Sequence, residues 1–266
     1  MLTAKPDFLT IAEVNPPTLP DLTHRRLEGT WSHVLITDNV FGKIRVSPYS
    51  YGARITHDLP DVHPTVVVST RDRNILAIES EVRGAIGNGV DSFLVVTGDT
   101  VPAVDHLAHH YEVVTHLREL QDHTPAFEVG LPTRFQKWQF RQRIGIGAQF
   151  FVAGPVIDAE TVEPNVARLG LDGGEPPLFL MVVPAFSLGW VERSERFGCV
   201  AAGDELKRTL GDLPEAERRA FGWCQAMECA RRARDAGCAG IVLIGLKFDT
   251  IIGEGAAVWE HLLAEA

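Results

Sequence analysis

"VVVSTRDRNILAIESEVRGAIGNGVDSFLVVTGDT", residues 66–100, contains a continuous apolar run, a helical pattern and a second continuous apolar run. Such runs are typical of parallel strands that are covered on both faces, so this stretch predicts a β–α–β unit. Each run passes directly into polar residues, Ser-Thr-Arg-Asp-Arg-Asn after the first and Thr-Gly-Asp-Thr after the second. Because parallel strands present their carboxyl ends at the same edge, we expect these polar residues to lie together.

Eight such apolar runs occur along the chain, and helical patterns fill most of the intervals between them. In chain order the runs cover residues 8–14, 33–38, 65–70, 91–98, 126–131, 148–156, 178–186 and 240–246. Eight strands with helical crossovers favour a (β/α)8 TIM barrel over an open doubly wound sheet. No linker or break in composition divides the chain, so we predict a single TIM-barrel domain over residues 1–266.

The helical patterns are clearest over residues 72–88, 104–121, 159–169 and 215–236. In the first of them, apolar residues recur at helical spacing and predict one buried stripe, formed by Ile75, Ile78, Val82 and Ile86. The segment 191–236 is long for one crossover, so we expect two or more helices there.

The composition is that of a globular protein, with 45% apolar and 23% charged residues. A net charge of -10 argues against nucleic acid and against an anionic membrane as partners. The amino-terminal stretch lacks the pattern of a secretory signal, and no run reaches the length of a membrane span. The cysteines form no Cys-x-x-Cys pair, and the sequence predicts no metal site. We expect a cytoplasmic protein with a small-molecule partner, and a homo-oligomer is compatible with the sequence.

Polar residues follow most of the predicted strands, and in a barrel this is where the chemistry lies. The candidates chosen on this ground are Glu13, Thr37, Asp38, Asn39, Ser69, Thr70, Arg71, Asp72, Arg73, Asn74, Thr97, Gly98, Asp99, Gly154 and Lys247. Phe186 follows another strand and is a candidate for stacking on a planar ligand. For the segment 71–73 a second interpretation stays open, in which it is an exposed helix start that Asp72 caps.

Four segments resemble, in order and spacing, the methylenetetrahydrofolate reductase family of flavin-dependent barrels. "EVNPP" (13–17) is similar to the Glu-x-x-Pro-Pro of the family's first strand, and "ITDN" (36–39) to a turn after its second strand. The most specific match is "RDRNILAIESEVRGAIGNGVDSFLVVTGD" (71–99). "RQRIGIGAQFFVAGPVID" (141–158) resembles the family's lysine, Gly-Ala and strand pattern. The resemblance covers nearly the whole chain and is weak after about residue 190.

The resemblance implies an oxidoreductase that reduces 5,10-methylenetetrahydrofolate to 5-methyltetrahydrofolate, with FAD, NAD(P)H and a tetrahydrofolate derivative as substrate. It implies that Glu13 protonates the folate as its ring opens and that Asp99 holds the pterin, whose paired N–H donors match a carboxylate. Phe186 and Lys247 are also predicted to contact the substrate. The residues predicted to contact the cofactor are Thr37, Asp38, Ser69, Arg71, Asp72, Arg73, Thr97, Gly98 and Arg143, the last in place of the family lysine.

The chain also departs from the family pattern at two strands. Val67-Val68-Ser69-Thr70 stands where the family usually has His-Leu-Thr-Cys, so the flavin-side histidine is absent. Ala153-Gly154 stands in place of Thr-Gln, so the glutamine that helps to hold the folate is missing. Two alternatives therefore stay open, namely a flavin-free folate-binding one-carbon enzyme on the same barrel and a non-catalytic partner subunit.

Overall fold

Eight parallel strands form the centre of the fold. The computed structural model describes residues 1–4, 8–71, 73–99, 109–196 and 201–258. Its strands are β1 (Leu9–Val14), β2 (His33–Ile36), β3 (His63–Ser69), β4 (Ser92–Val96), β5 (Glu128–Thr133), β6 (Phe150–Val156), β7 (Leu178–Val182) and β8 (Gly240–Leu243). They close into a barrel in the order of the sequence. The predicted (β/α)8 TIM barrel is confirmed, and each strand overlaps its predicted run.

Helices follow or precede the strands as the pattern predicts. They are α1 (Pro48–Asp58), α2 (Ile75–Gly87), α3 (His110–Leu120), α4 (Lys137–Gly145), α5 (Val162–Ala167), α6 (Leu188–Arg196), α7 (Asp204–Asp212), α8 (Glu215–Asp235) and α9 (Phe248–Thr250). Three of them, α6 to α8, account for the segment that was too long for one crossover. In the described part of the chain, no helix is both long and apolar enough to cross a membrane.

Helix α2 shows how local sequence determines the β–α–β unit of residues 66–100. Asn74 caps the helix, because its side-chain oxygen accepts a hydrogen bond from the backbone N–H of Ala77 at 2.9 Å. Ile78, Val82 and Ile86 are buried, whereas Ile75 in the first turn is 37% exposed. The predicted stripe is thus confirmed except at its first residue. Full burial of one such side chain contributes roughly 1.5–3 kcal/mol to folding.

The register of β2, β3 and β4 brings three strand ends to one edge. Ile36 pairs with Val66, and Ser69 pairs with Val96. The backbone N–H of Thr70 continues the pairing by donating to the Val96 carbonyl at 3.0 Å. The polar residues that follow these strands therefore leave the barrel at its carboxyl end, as the sequence predicts.

The chain divides into two compact units, each with its own packed interior. The first comprises Met1–Lys5, Ile11–Pro132 and Arg141–Phe151. The second comprises Pro6–Thr10, Thr133–Phe140 and Val152–Ala266. In the first unit the ring of Phe150 occupies the space that a Cβ on Gly130 would take. In the second, a buried cluster is formed by Ile157, Ala185, Val191, Leu206 and Leu210. The single domain over residues 1–266 stays a prediction.

Candidate functional site

Thr37 joins the carboxyl ends of β1 and β2. Its backbone N–H donates to the Val14 carbonyl at 3.1 Å, and its hydroxyl donates to Oδ1 of Asn15 at 2.9 Å. Glu13 lies one residue before the end of β1, opposite Leu35 in the register, and is partly buried. Glu13 is therefore at the end of the barrel where the sequence predicts the chemistry.

Four polar side chains form a closed cluster beside this edge, namely Asp38, Tyr49, Arg73 and Glu81. The Asp38 side chain is 1% exposed, and its Oδ2 accepts hydrogen bonds from Nη1 of Arg73 at 2.6 Å and from the backbone N–H of Ser69 at 3.3 Å. The same Nη1 donates to the Tyr49 hydroxyl at 3.2 Å, and Nε of Arg73 lies 3.6 Å from Oε2 of Glu81. Arg73 is thus shared by every other member of the cluster.

Burial is the main electrostatic influence on the closed cluster. It raises the pKa of the Asp38 carboxyl above its usual range, and the nearby Arg73 cation offsets this effect only in part. Burial likewise raises the pKa values of Tyr49 and Glu81. Removing one partner from a buried ion pair costs about 3–5 kcal/mol, because the other charge stays behind without compensation. The closed cluster therefore links the loop after β2 to the first part of α2.

The loop after β2 folds back towards the end of β4. Asn39 and Phe41 have φ values of 45° and 56°, in the left-handed region that residues other than glycine seldom adopt. This conformation accompanies a hydrogen bond of 2.6 Å from the backbone N–H of Phe41 to Oδ2 of Asp99. Oδ1 of Asn39 accepts from the backbone N–H of Arg45 at 3.0 Å. Strained backbone of this kind is concentrated at ligand sites.

Arg71 and Asp99, which we call the open pair, stand at the ends of β3 and β4. Gly98, next to Asp99, has a φ of 84°, and a Cβ there would overlap the Ser69 hydroxyl and lie 3.3 Å from Cβ of Arg71. Only glycine suits this close approach. Nε of Arg71 is buried, and within the described residues its guanidinium has no hydrogen-bond or ion-pair partner. Asp99 is exposed.

These strand ends line a pocket of about 240 Å³. Its lining residues are Asp38, Asn39, Gly42, Ile44, Ser69, Arg71, Arg73 and Asp99. Two carboxylates and two guanidinium groups are among them, so their formal charges cancel. Ile44 is highly exposed and adds an apolar surface. The pocket is smaller than the sites of drug-sized molecules, which have volumes of about 300–1,000 Å³. Because its charges also balance, it suits a neutral polar ring system.

A second group of side chains surrounds Thr97 just beyond β4. Oγ1 of Thr97 lies 3.4 Å from Nδ1 of His110. Burial, followed by the nearby Arg143 cation, lowers the pKa of His110 to about 4, so this imidazole is neutral at physiological pH. Arg143 is itself buried, and its guanidinium donates to the Pro132 carbonyl and to the Tyr111 hydroxyl. The Arg143 guanidinium, which is predicted to contact the cofactor, is therefore already engaged by the protein.

The structure brings six predicted site residues into one pocket, Asp38, Asn39, Ser69, Arg71, Arg73 and Asp99. Gly98 shapes the same edge, and Glu13, Thr37 and Thr97 lie at neighbouring strand ends. Asp72 falls outside the described residues. Sequence reasoning missed Gly42 and Ile44, for which the only signal was their position shortly after a strand. It also missed Tyr49 and Glu81, whose helical positions gave no sign of the pocket.

Phe186 and Lys247 lie in the second unit. The ring of Phe186 packs against Trp223 of α8 at 5.4 Å between centroids, and the guanidinium carbon of Arg219 lies 4.8 Å from the centre of the Phe186 ring. Lys247 is exposed immediately before α9. The predicted contacts of both residues with substrate stay predictions. Among the residues that the structure describes, no group of three or more His, Cys, Asp or Glu residues is placed to hold a metal ion.

Comparison with known proteins identifies the fold. No family model and no curated protein matches the chain. A solved structure of an uncharacterized protein from Clostridium thermocellum that binds two copies of 5-methyl-5,6,7,8-tetrahydrofolic acid has a TM-score of 0.66 at 13% identity, covering 99% of this chain and 98% of that one. A 2,3-dimethylmalate lyase of the PEP mutase/isocitrate lyase superfamily has a TM-score of 0.56 at 12% identity, covering 99% and 82%.

An oxaloacetate acetylhydrolase structure also matches, with a TM-score of 0.56 at 12% identity, covering 98% of this chain and 82% of the other. At such low identities the likeness is one of fold, since one barrel supports many unrelated activities. Membership of the methylenetetrahydrofolate reductase family stays a prediction.

Proposed function

We propose that this protein binds a reduced folate in the pocket at the carboxyl end of its barrel and performs one-carbon chemistry on it. The observation that carries the proposal is Asp99, an exposed carboxylate at the edge of a small pocket whose charges cancel. A carboxylate accepts the two adjacent N–H donors of a pterin in a bidentate, charge-assisted arrangement. The Clostridium thermocellum barrel that binds 5-methyltetrahydrofolic acid supports the same substrate class.

FAD does not fit the described residues. Its pyrophosphate carries two negative charges, whereas the formal charges of the two guanidinium groups in the pocket are already balanced by those of two carboxylates. Arg143, the other cation that is predicted to contact the cofactor, already donates to Pro132 and Tyr111. The volume of about 240 Å³ suits a ring system and is small for a dinucleotide. These observations favour a flavin-free folate enzyme.

Glu13 is the proposed proton donor. When a carbon–nitrogen bond of a folate-bound one-carbon unit breaks, the departing nitrogen takes up a proton, and a carboxyl group at the end of β1 supplies it. Asp99 holds the pterin while this happens.

Reduction of 5,10-methylenetetrahydrofolate to 5-methyltetrahydrofolate with FAD and NAD(P)H is the second candidate, and the resemblance of residues 13–17 and 71–99 favours it.

Calorimetric titration of the purified protein with 5-methyltetrahydrofolate, and separately with FAD, tests the proposal. We expect saturable folate binding and no saturable flavin binding. Glu13→Gln should keep the folate affinity and lose turnover with a folate-bound one-carbon donor. Absence of saturable folate binding would overturn the proposal. Stoichiometric flavin, together with reduction of 5,10-methylenetetrahydrofolate by NAD(P)H, would replace it by the second candidate.

A further inference from the structure

We propose that Arg71 reads the 4-oxo group of the pterin, so that the pocket selects 4-oxo pterins over 4-amino pterins. The inference rests on the proposed function and names the substrate class of that same pocket. Arg71 and Asp99 both line it. Their chain segments touch, because the Cβ position of Gly98 lies only 3.3 Å from Cβ of Arg71. A planar ring in this pocket would therefore lie beside both residues.

The two arginines of the pocket differ in whether their hydrogen-bond donors already have partners within the protein. Arg73 donates to Asp38 at 2.6 Å and to Tyr49 at 3.2 Å, and it also lies 3.6 Å from Glu81. Arg71 has a buried Nε without a hydrogen-bond partner in the described part of the chain. The residue as a whole is only partly buried and lines the pocket, so its other guanidinium nitrogens can meet a ligand acceptor. Arg71 is thus the hydrogen-bond donor in the pocket that is available to a ligand.

The hydrogen-bonding pattern of the open pair then defines the ligand edge. An ionised carboxylate only accepts hydrogen bonds, and a guanidinium only donates them. A 4-oxo pterin presents a 2-amino group and an N3–H as donors, and the neighbouring O4 as an acceptor. This sequence matches Asp99 followed by Arg71. A 2,4-diaminopteridine has no hydrogen on N3 and carries an amino donor at position 4, so it would set a donor against Arg71.

A free anion is a weaker candidate for the same guanidinium. The carboxylates and guanidinium groups that line the pocket balance in formal charge, so an added phosphate would leave the site with a net negative charge. A neutral carbonyl oxygen satisfies Arg71 and keeps the balance. The distinction is testable, because phosphate and pterin compete for Arg71 only if Arg71 binds anions.

Folic acid and aminopterin form a matched pair of probes, because they differ in the 4-oxo and 4-amino groups. We would measure displacement of 5-methyltetrahydrofolate by each probe from the wild type, Arg71→Met and Arg71→Lys. The wild type should bind folic acid at least about 10-fold more tightly than aminopterin, since sites built around a hydrogen bond reject analogues that cannot make it. Arg71→Met should lose this preference, and Arg71→Lys should retain part of it. Unfolding midpoints equal to that of the wild type would show that the variants are folded.

Equal affinities of the two probes for the wild type, or an unchanged preference in Arg71→Met, would overturn the inference and leave folate binding intact. Displacement of 5-methyltetrahydrofolate by millimolar inorganic phosphate in the wild type but not in Arg71→Met would also overturn it, because Arg71 would then be an anion site. A wild type that binds no 5-methyltetrahydrofolate would overturn the proposed function itself.

Discussion

Arg71 and Arg73 are two residues apart and line the same pocket, yet the protein uses them differently. Arg73 belongs to the closed cluster, where its guanidinium contacts Asp38, Tyr49 and Glu81. Arg71 belongs to the open pair, and no partner for its guanidinium is found in the described segments. The carboxylates also differ, since the Asp38 side chain is buried, whereas Asp99 is exposed and accepts a hydrogen bond from the Phe41 N–H. The comparison teaches that the closed cluster holds the pocket in shape, whereas the open pair is available to a ligand.

Asp38→Asn should produce the largest effect, which is on stability. The substitution keeps the shape of the side chain and leaves the Arg73 cation without its main partner. We expect the free energy of unfolding to fall by about 3 kcal/mol, the lower end of the range for a broken buried pair, because Glu81 still lies near Arg73. Denaturant titration followed by circular dichroism measures this change.

Glu205→Gln is the matched control for Asp38→Asn, because Glu205 and Arg208 form a highly exposed ion pair at 3.6 Å. Its loss should change the free energy of unfolding by less than about 1 kcal/mol. Equal effects of the two substitutions would contradict the distinction between the closed cluster and an ordinary surface pair.

Gly98→Ala, next to Asp99 of the open pair, should produce the next largest effect on stability. The new methyl group would overlap the Ser69 hydroxyl, and the φ of 84° disfavours any residue with a Cβ. We expect a loss of about 1–3 kcal/mol in the free energy of unfolding, together with weaker folate binding. Gly84→Ala is the control, since Gly84 lies in α2 with open space around it, and it should gain about 0.5–1 kcal/mol. Full stability and affinity in Gly98→Ala would refute the close approach of β3 and β4.

His110→Gln should produce the smallest effect, which appears only on acidification. The folded-state pKa of about 4 lies below the usual value of 6.5, so the unfolded state binds more protons between these values. The stability contributed by neutral His110 is therefore complete above pH 6.5 and is lost as the pH falls towards 4. Unfolding curves across this range should show a shallower pH dependence in His110→Gln than in the wild type. His57→Gln, at an exposed histidine, is the matched control, and a common slope for all three proteins would contradict the effect of burial on the partly buried His110.

The barrel and most of the pocket lining were predictable because their signals are local. A continuous apolar run predicts a covered parallel strand, and the polar residues after it predict a position at the carboxyl end of the barrel. This reasoning selected Asp38, Ser69, Arg71, Arg73 and Asp99, which the structure places together. It also selected Glu13 and Thr37, which lie at the ends of the neighbouring strands.

The partners within the pocket were not predictable, because they depend on contacts between distant segments. Asp38 and Arg73 are 35 residues apart, and the Phe41 N–H and the Asp99 carboxylate are 58 apart. The loop that makes the second contact depends on left-handed conformations at Asn39 and Phe41, and nothing in the identity of phenylalanine indicates one. For the same reason the sequence did not distinguish the engaged Arg73 from the unpartnered Arg71.

The affinity of 5-methyltetrahydrofolate for Asp99→Asn tests the central claim most directly. Asparagine keeps the size of the side chain and replaces one acceptor oxygen by an N–H donor, so it no longer matches the paired pterin donors. The Kd should rise by about 10- to 100-fold, the loss expected for hydrogen bonds to a charged group. Asp61→Asn, at an exposed aspartate outside the pocket, should bind as the wild type does. Equal affinities for the wild type and Asp99→Asn would contradict the assignment of the open pair as the pterin site.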